Sequence, residues 1–252
     1  MTTRSIDCSD AEWDARVRLA ACYRIFAHLG WTEMIYNHIT LRLEGDGDGA
    51  RFLINPFGLH YSEVKASNLV KVDLQGRKVG TSPWPVNPAG FTVHAAIHAG
   101  VPGAHCVMHT HTTAGSAVAC SKAGLSMSNF YAAQLHDKVA YHDFEGITVH
   151  AEEGPRLVRN IGAKPAVILR NHGLLAWGPT LAKTFVMLWT LNRACEIQLA
   201  SMAMGPVLDI PEPVQRRCTE DSFQFRADFG AGQDVLDALT RLIDRVDTSY
   251  RE

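Results

Sequence analysis

Two histidines separated by a single threonine, His109 and His111 in HCVMHTHTTAGSAVAC (105–120), are the residues best suited to chemistry in this chain. In an extended strand, side chains two apart point to the same side, with α-carbons roughly 6–7 Å apart. That separation lets two imidazoles converge on one cation at about 2.0–2.1 Å. A third donor has to come from elsewhere, and His172 in AVILRNHGLLAWG is the best placed. It follows an apolar strand, and Gly173 after it gives the backbone room to turn. Three imidazoles leave a position open for water or substrate. Spacing alone leaves two readings open, a metal-binding pair and a pair that merely packs. The same holds for His94 and His98, one helical turn apart.

The elements that must position these residues follow from periodicity and punctuation. SDAEWDARVRLAACYRIFAHLGW predicts a helix opened by a capping box, Ser9 with Glu12, and stopped at Gly30. NHITLRLEGDGDGARFLINPFG predicts two strands joined by a Gly-Asp turn. SNLVKVDLQGRKVG predicts a second strand pair turned at Gln75-Gly76. NPAGFTVHAAIHAGVPG predicts a helix with Phe91, His94, Ala95 and His98 on one face. AHCVMHTH reads as a strand, and TTAGSAVACSKAG as a short helix. VAYHDFEGITVHA reads as loop and strand, and EEGPRLVRNIG as a helix ending before Gly162. AVILRNHGLLAWG gives two apolar strands interrupted at Arg170–Gly173. The longest helix is TLAKTFVMLWTLNRACEIQLASMAM. Pro206, Pro211 and Pro213 break the chain after it, and GQDVLDALTRLIDRVD forms a terminal amphipathic helix. Strand pairs mixed with helices, without regular βαβ alternation, predict one α/β domain over 1–252 with a mixed, mostly antiparallel sheet.

Bulk properties exclude several function classes. Apolar residues make up 46% of the 252, enough for a sizeable core, and charged residues 20%. A net charge of -2 and a pI near 6.6 give no basic footprint for nucleic acid or an acidic membrane. No run of about 18 apolar residues predicts a membrane span. The N-terminal stretch lacks a signal-peptide core, and six scattered cysteines read as reduced thiols, so a cytoplasmic location is expected. There is no GxGxxG after a strand and no Walker A segment.

VMHTHTTAGSAVAC and LRNHGLLAWG, preceded by NPAGFTVHAAIH, resemble the class II aldolase/adducin family, over most of the chain from the Asn37 segment onward. The family's metal histidines come as HxH followed by a third in an NHG segment, and the 63-residue step from His109 to His172 is of the family's size. The resemblance implies a three-layer α/β/α sandwich, a homotetramer with sites near subunit interfaces, and a divalent ion on His109, His111 and His172. Zn²⁺ is expected, with Mn²⁺ or Fe²⁺ as alternatives.

The chain departs from the aldolase pattern where that family does its acid–base work. Its aldolases carry a glutamate in a Ser-Ser-Glu segment before HxH, and the aligned residues here are Pro88, Ala89 and Gly90. Glycine can neither coordinate nor move a proton. The phosphate-binding segments also differ. The asparagine segment becomes YNHIT, which keeps Asn37 and Thr40, while the Thr-Gly turn becomes Phe57-Gly58. Asn37, Phe57, Gly58 and Gly90 are therefore expected to line a substrate site poor in phosphate donors. In the family, the 128–146 segment falls on a loop that reaches a neighbouring site, which makes Tyr131 a candidate general acid. His136 or His38 are candidates to replace the glutamate, neutral imidazole being suited to proton transfer near pH 7. For each of these three, a packing role is equally open.

The expectation is a metal-dependent lyase that acts on a small unphosphorylated hydroxy- or oxo-acid, aromatic ones included, by retro-aldol cleavage or decarboxylation. The second reading is a non-catalytic binding or assembly module of the adducin-head kind that retains the metal site. A metal hydrolase ranks last, because no base carboxylate stands beside the histidines.

Overall fold

A computed structural model describes residues 6–44, 49–147, 150–225 and 232–252. The expected Gly-Asp turn at 45–48, and the strand expected to continue into 148–149, lie outside the described residues.

Seven strands form one sheet: β1 (His38–Leu43), β2 (Arg51–Ile54), β3 (Val70–Asp73), β4 (Cys106–Thr110), β5 (Val139–His142), β6 (Ala166–Leu169) and β7 (Gly173–Gly178). Their order is β3-β2-β1-β4-β7-β6-β5. All neighbours are antiparallel except β5 and β6, so the sheet is mixed and mostly antiparallel, as the patterning predicts. The helices are α1 (Asp10–His28), α2 (Pro88–Gly100), α3 (Thr113–Cys120), α4 (Phe130–Ala133), α5 (Gly154–Ile161), α6 (Leu181–Met202), α7 (Glu212–Phe225) and α8 (Gln233–Asp244).

Strand alternation sorts the side chains into two layers. Ile39, Leu41, Cys106, Met108, Ile168 and Leu174 face one way and pack on α1, α3, α6 and α8. Val107, Val167, Leu169 and Leu175 face the other way, against Val93 and Ile97 of α2 and Leu157 and Ile161 of α5. Phe52, Ile54, Val70 and Val72 extend that second layer onto Phe91. Helices thus cover both faces, giving the α/β/α sandwich. Among the described residues no helix is long and apolar enough to cross a membrane.

Local chemistry accounts for most boundaries. Ser9 caps α1, its hydroxyl accepting from Glu12 N at 3.2 Å. The capping box is only half formed, because the Glu12 carboxylate accepts instead from Arg16 and Lys71, both at 2.8 Å. The helix ends in a Schellman arrangement: Gly30 has φ +73°, Gly30 N donates to Ala27 O and Trp31 N to Phe26 O. Two expectations are corrected. The return strand after Gln75-Gly76 shrinks to a single bridge, Val72 to Lys78. And the proline-rich stretch after α6 contains a helix, α7, with Pro213 in its first turn, where no N–H is required.

Candidate metal centre and its cavity

β1 and β4 lie side by side near the middle of the sheet, and their register sets His38 opposite His109 and Thr40 opposite Val107. By alternation, His38, Thr40 and His109 all point toward α2. His111 follows one residue past the end of β4, so the pair is a strand residue and a loop residue rather than two strand residues. The imidazoles nevertheless converge: His109 Nε2 lies 2.7 Å from His111 Nε2, which lies 2.9 Å from His172 Nε2. The three are the described residues' one cluster of metal-ligating type.

The backbone around each histidine is tied down. His111 N donates to Asn37 Oδ1 at 3.0 Å. Thr112 then caps α3 and donates to Asn192 of α6. His172 sits in the β6–β7 turn, where Asn171 takes the left-handed conformation at φ +56° and Ser116 of α3 donates to His172 O at 3.1 Å. The turn therefore rests on Asn171, not on Gly173. Gly173 is needed for a different reason. A Cβ there would stand 2.4 Å from Thr110 O and 3.2 Å from His111 Cδ2, because β7 starts hard against the end of β4.

His109 is buried, and its Nδ1 donates to Leu174 O at 2.8 Å, which leaves the Nε2 lone pair facing the other two rings. Desolvation first, and the neighbouring imidazoles second, hold His109 well below its ordinary pKa and push His111 down to about 4; desolvation also lowers His172. Neutral imidazoles gathered nitrogen to nitrogen are the donor set of a borderline divalent cation. In tetrahedral Zn²⁺ geometry the nitrogens would spread to about 3.3 Å, a small relaxation. The residues fit a three-histidine ion with an open position.

The cluster opens into a cavity of about 390 Å³ whose wall includes Tyr36, His38, Ala89, Gly90, Phe144 and Asn171. No lysine or arginine lines it among the described residues. A larger groove of about 780 Å³, between Phe130, Tyr131 and α7, lies elsewhere and holds no part of the histidine cluster.

The residues proposed from sequence fare unequally. His38 and Gly90 line the cavity, and the two are in contact: a Cβ on residue 90 would stand 2.6 Å from His38 Cδ2 and 2.7 Å from its Nε2. The imidazole of His38 thus fills the volume that a side chain at position 90 would take. Asn37 is buried, and its amide is already committed, donating to Trp31 O at 3.0 Å and Glu33 Oε2 at 2.8 Å while its oxygen holds His111 N. It positions the loop that carries His111, and its amide hydrogens are not free for a substrate. Phe57 and Gly58 do not line the cavity. Tyr131 packs edge-on against Trp189 of α6 in the other groove. His136 is tied to α7, with Nδ1 against Gln215 Oε1 at 2.9 Å. Within one chain neither reaches the cluster. Tyr36, Asn171 and Phe144 of the wall carry no signal in the sequence, and Thr40, kept with Asn37 in YNHIT, lies behind the wall, where only the β1–β4 register reveals its place beside Val107.

With this geometry in view, similarity to known proteins becomes informative. Residues 17–199 match the class II aldolase and adducin N-terminal domain, and the chain belongs to that family. It is 42% identical over 248 residues to a Pseudomonas aeruginosa protein provisionally named an aldolase class 2 protein, covering 97% of this chain and 94% of that one. It is also 42% identical over 245 residues to mouse alpha-adducin, covering 92% of this chain but only 33% of the adducin. Among solved structures, an L-fuculose 1-phosphate aldolase from Glaciozyma antarctica superposes with a TM-score of 0.83 at 26% identity, covering 100% of this chain and 98% of that one.

Proposed function

We propose that the chain is a divalent-metal-dependent carbon–carbon lyase for small unphosphorylated hydroxy- or oxo-acids, working by retro-aldol cleavage or decarboxylation. The observation that carries this reading is the three-imidazole cluster at the foot of a cavity that no cationic side chain lines among the described residues. A bound ion, Zn²⁺ on this donor set with Mn²⁺ or Fe²⁺ as alternatives, would supply Lewis acidity to the substrate oxygens beside the breaking bond. The protein supplies the rest. His109 Nδ1, anchored on Leu174 O, keeps Nε2 free as a ligand atom. Tyr36, Phe144 and Ile147 form an apolar mouth that accepts an aliphatic or aryl substituent and displaces water from it. His38 Nε2, standing where the aldolases' glutamate would project, would take the proton of the substrate hydroxyl as the carbon–carbon bond breaks in retro-aldol cleavage and return it to the carbon that keeps the bonding electrons; in decarboxylation that carbon would take its proton from water. Asn87 and Asn171 are the uncharged polar groups on the wall and orient the acid. Apart from the ion, a phosphate would meet neither a cationic side chain nor a cluster of hydroxyls among the described residues there. The homotetramer with sites near subunit interfaces that the family resemblance implies is part of the same reading, and the exposure of Tyr36 at 53% and Ile147 at 78% beside the cavity supports an interface nearby.

A second reading has its own support: 42% identity to alpha-adducin and the missing carboxylate at Gly90 fit a non-catalytic binding module that keeps the metal site. One experiment separates the two. Purified protein and its His109→Ala/His111→Ala variant are analysed for bound metal, then incubated with a panel of hydroxy- and oxo-acids and of ketose and aldose phosphates, reading aldehyde and CO₂ release. Metal in the parent, lost in the variant, with metal-dependent cleavage of an acid is the expected result. Metal-dependent cleavage of a sugar phosphate refutes the substrate class, and full metal in the double variant refutes the site.

A further inference from the structure

Behind the cavity, four polar side chains form a continuous buried chain, of which the proposed chemistry uses only the last, His38. It begins at a backbone carbonyl. His98 Nδ1 is 2.6 Å from Ala104 O, and His98 Nε2 is 2.7 Å from Thr40 Oγ1. Thr40 Oγ1 is 2.8 Å from His94 Nδ1, and His94 Nε2 is 3.0 Å from His38 Nδ1. His38 Nε2, at the far end, makes no hydrogen bond to a described residue and faces Gly90 on the cavity wall. Thr40 and His94 are fully buried, His38 and His98 nearly so, and Phe52 covers His98 with ring centroids 4.4 Å apart.

Each link allows one arrangement of hydrogens when the rings are neutral. A carbonyl oxygen only accepts, so His98 carries its hydrogen on Nδ1 and its Nε2 is an acceptor. The single hydroxyl hydrogen of Thr40 must then go to His98, which leaves the Thr40 oxygen to accept from His94 Nδ1–H. His94 Nε2 is in turn an acceptor, and His38 Nδ1 must donate to it. Of the three hydrogen-free Nε2 atoms, only that of His38 receives no hydrogen bond from a described residue. Burial favours the neutral form along the chain: desolvation brings His98 to about 4 and holds His94 well below its ordinary value.

We propose that Thr40, His94 and His98 are positioning residues that lock His38 in its Nδ1–H tautomer, so that an Nε2 lone pair is held toward the cavity as a ready acceptor for a substrate hydrogen. This rests on the reading of His38 as proton acceptor, but concerns only where the hydrogens lie. The α2 histidines, one turn apart, are spaced to bond the two sides of one hydroxyl, and the β1–β4 register carries the result to the metal face. The arrangement does for His38 what an orienting carbonyl or carboxylate does for other functional histidines.

Neutron diffraction from crystals of the deuterated protein as purified reads the hydrogens directly. The expected result is deuterium on Nδ1 alone in His38, His94 and His98, with the Thr40 deuteron directed at His98. Deuterium on His38 Nε2, or on both nitrogens of any of the three rings, overturns the proposal, and this measurement needs no variant to fold. Thr40→Val keeps the shape and removes the hydroxyl, whereas Thr40→Ser restores it. Imidazole ¹⁵N spectra should show a single His38 tautomer in the parent and in Thr40→Ser, and a loss of that single form in Thr40→Val. A Thr40→Val spectrum that matches the parent also overturns the proposal. His38→Gln, assayed on the acid panel, tests the proton-acceptor role by itself, so failure of that role and failure of the tautomer lock are read separately.

Discussion

Replacing Gly173 by alanine adds one methyl at the point where β7 starts against β4. The new Cβ would lie 2.4 Å from Thr110 O, and moving it out to the 3.0 Å that Cβ atoms keep requires a shift of about 0.6 Å. The obstacle is backbone, so no side chain can rotate out of the way. The opening falls between the end of β4, which carries His109 and leads into His111, and the start of β7, which His172 immediately precedes. Overpacking of this kind costs about 1–3 kcal/mol. At about 2–4 °C per kcal/mol for a chain of this length, melting should fall by roughly 2–12 °C. Ligand atoms tolerate displacements of about 0.2 Å before coordination suffers, so Zn²⁺ affinity should fall by at least about tenfold. Scanning calorimetry of metal-free protein gives the first quantity, and competition with a chromophoric chelator gives the second. Unchanged melting together with unchanged Zn²⁺ affinity would refute the argument that Gly173 is there for the close approach of the two strands.

Two further outcomes follow from the same geometry. Gly90→Ala places a methyl 2.6 Å from a His38 ring that is held at 3.0 Å by His94, so turnover of the best acid on the panel should fall about tenfold or more while bound metal is unchanged; parental turnover would show that the His38 position is not used. Burial brings His98 from 6.5 to about 4 in the folded state, so the unfolded chain binds the extra proton between those values: stability is full above about 6.5 and falls as pH drops toward 4, by up to roughly 3 kcal/mol from this residue. His98→Gln cannot take up that proton, so urea unfolding at pH 5 and pH 7 should show a smaller pH dependence than the parent, and an equal dependence in both would contradict the buried neutral state.

The legible parts of this molecule were those whose cause is local. The HxH pair declares itself because strand geometry repeats every two residues, and His172 because a polar NHG interrupts two apolar runs. The mixed sheet and most helices follow from periodicity in the same way. Asn37 shows the limit. Its type suggested a donor for substrate, but Trp31 O and Glu33 Oε2 take both amide hydrogens, and nothing in the local sequence reveals a loop folded around a side chain. The helix that starts between Pro211 and Pro213 was hidden for the opposite reason: proline is a breaker inside a helix and harmless in its first turn.

Gly90 is the position where sequence and structure must be taken together. By sequence alone it is a loss, a glycine where the family resemblance implies a carboxylate and with it the usual acid–base group. In the fold, the vacated volume is occupied by an imidazole from a strand more than fifty residues earlier, in van der Waals reach of the glycine itself. Glycine is then a requirement of His38's placement, since any side chain at position 90 would compete for the same space. A carboxylate there would be charged near neutral pH, whereas His38 is held neutral by burial, so the exchange changes the charge of the cavity as well as its donor. Two anionic partners, a substrate acid and a glutamate, would repel one another beside a single cation. A neutral imidazole removes that conflict, which ties the loss of the family's glutamate to the unphosphorylated acid proposed as substrate.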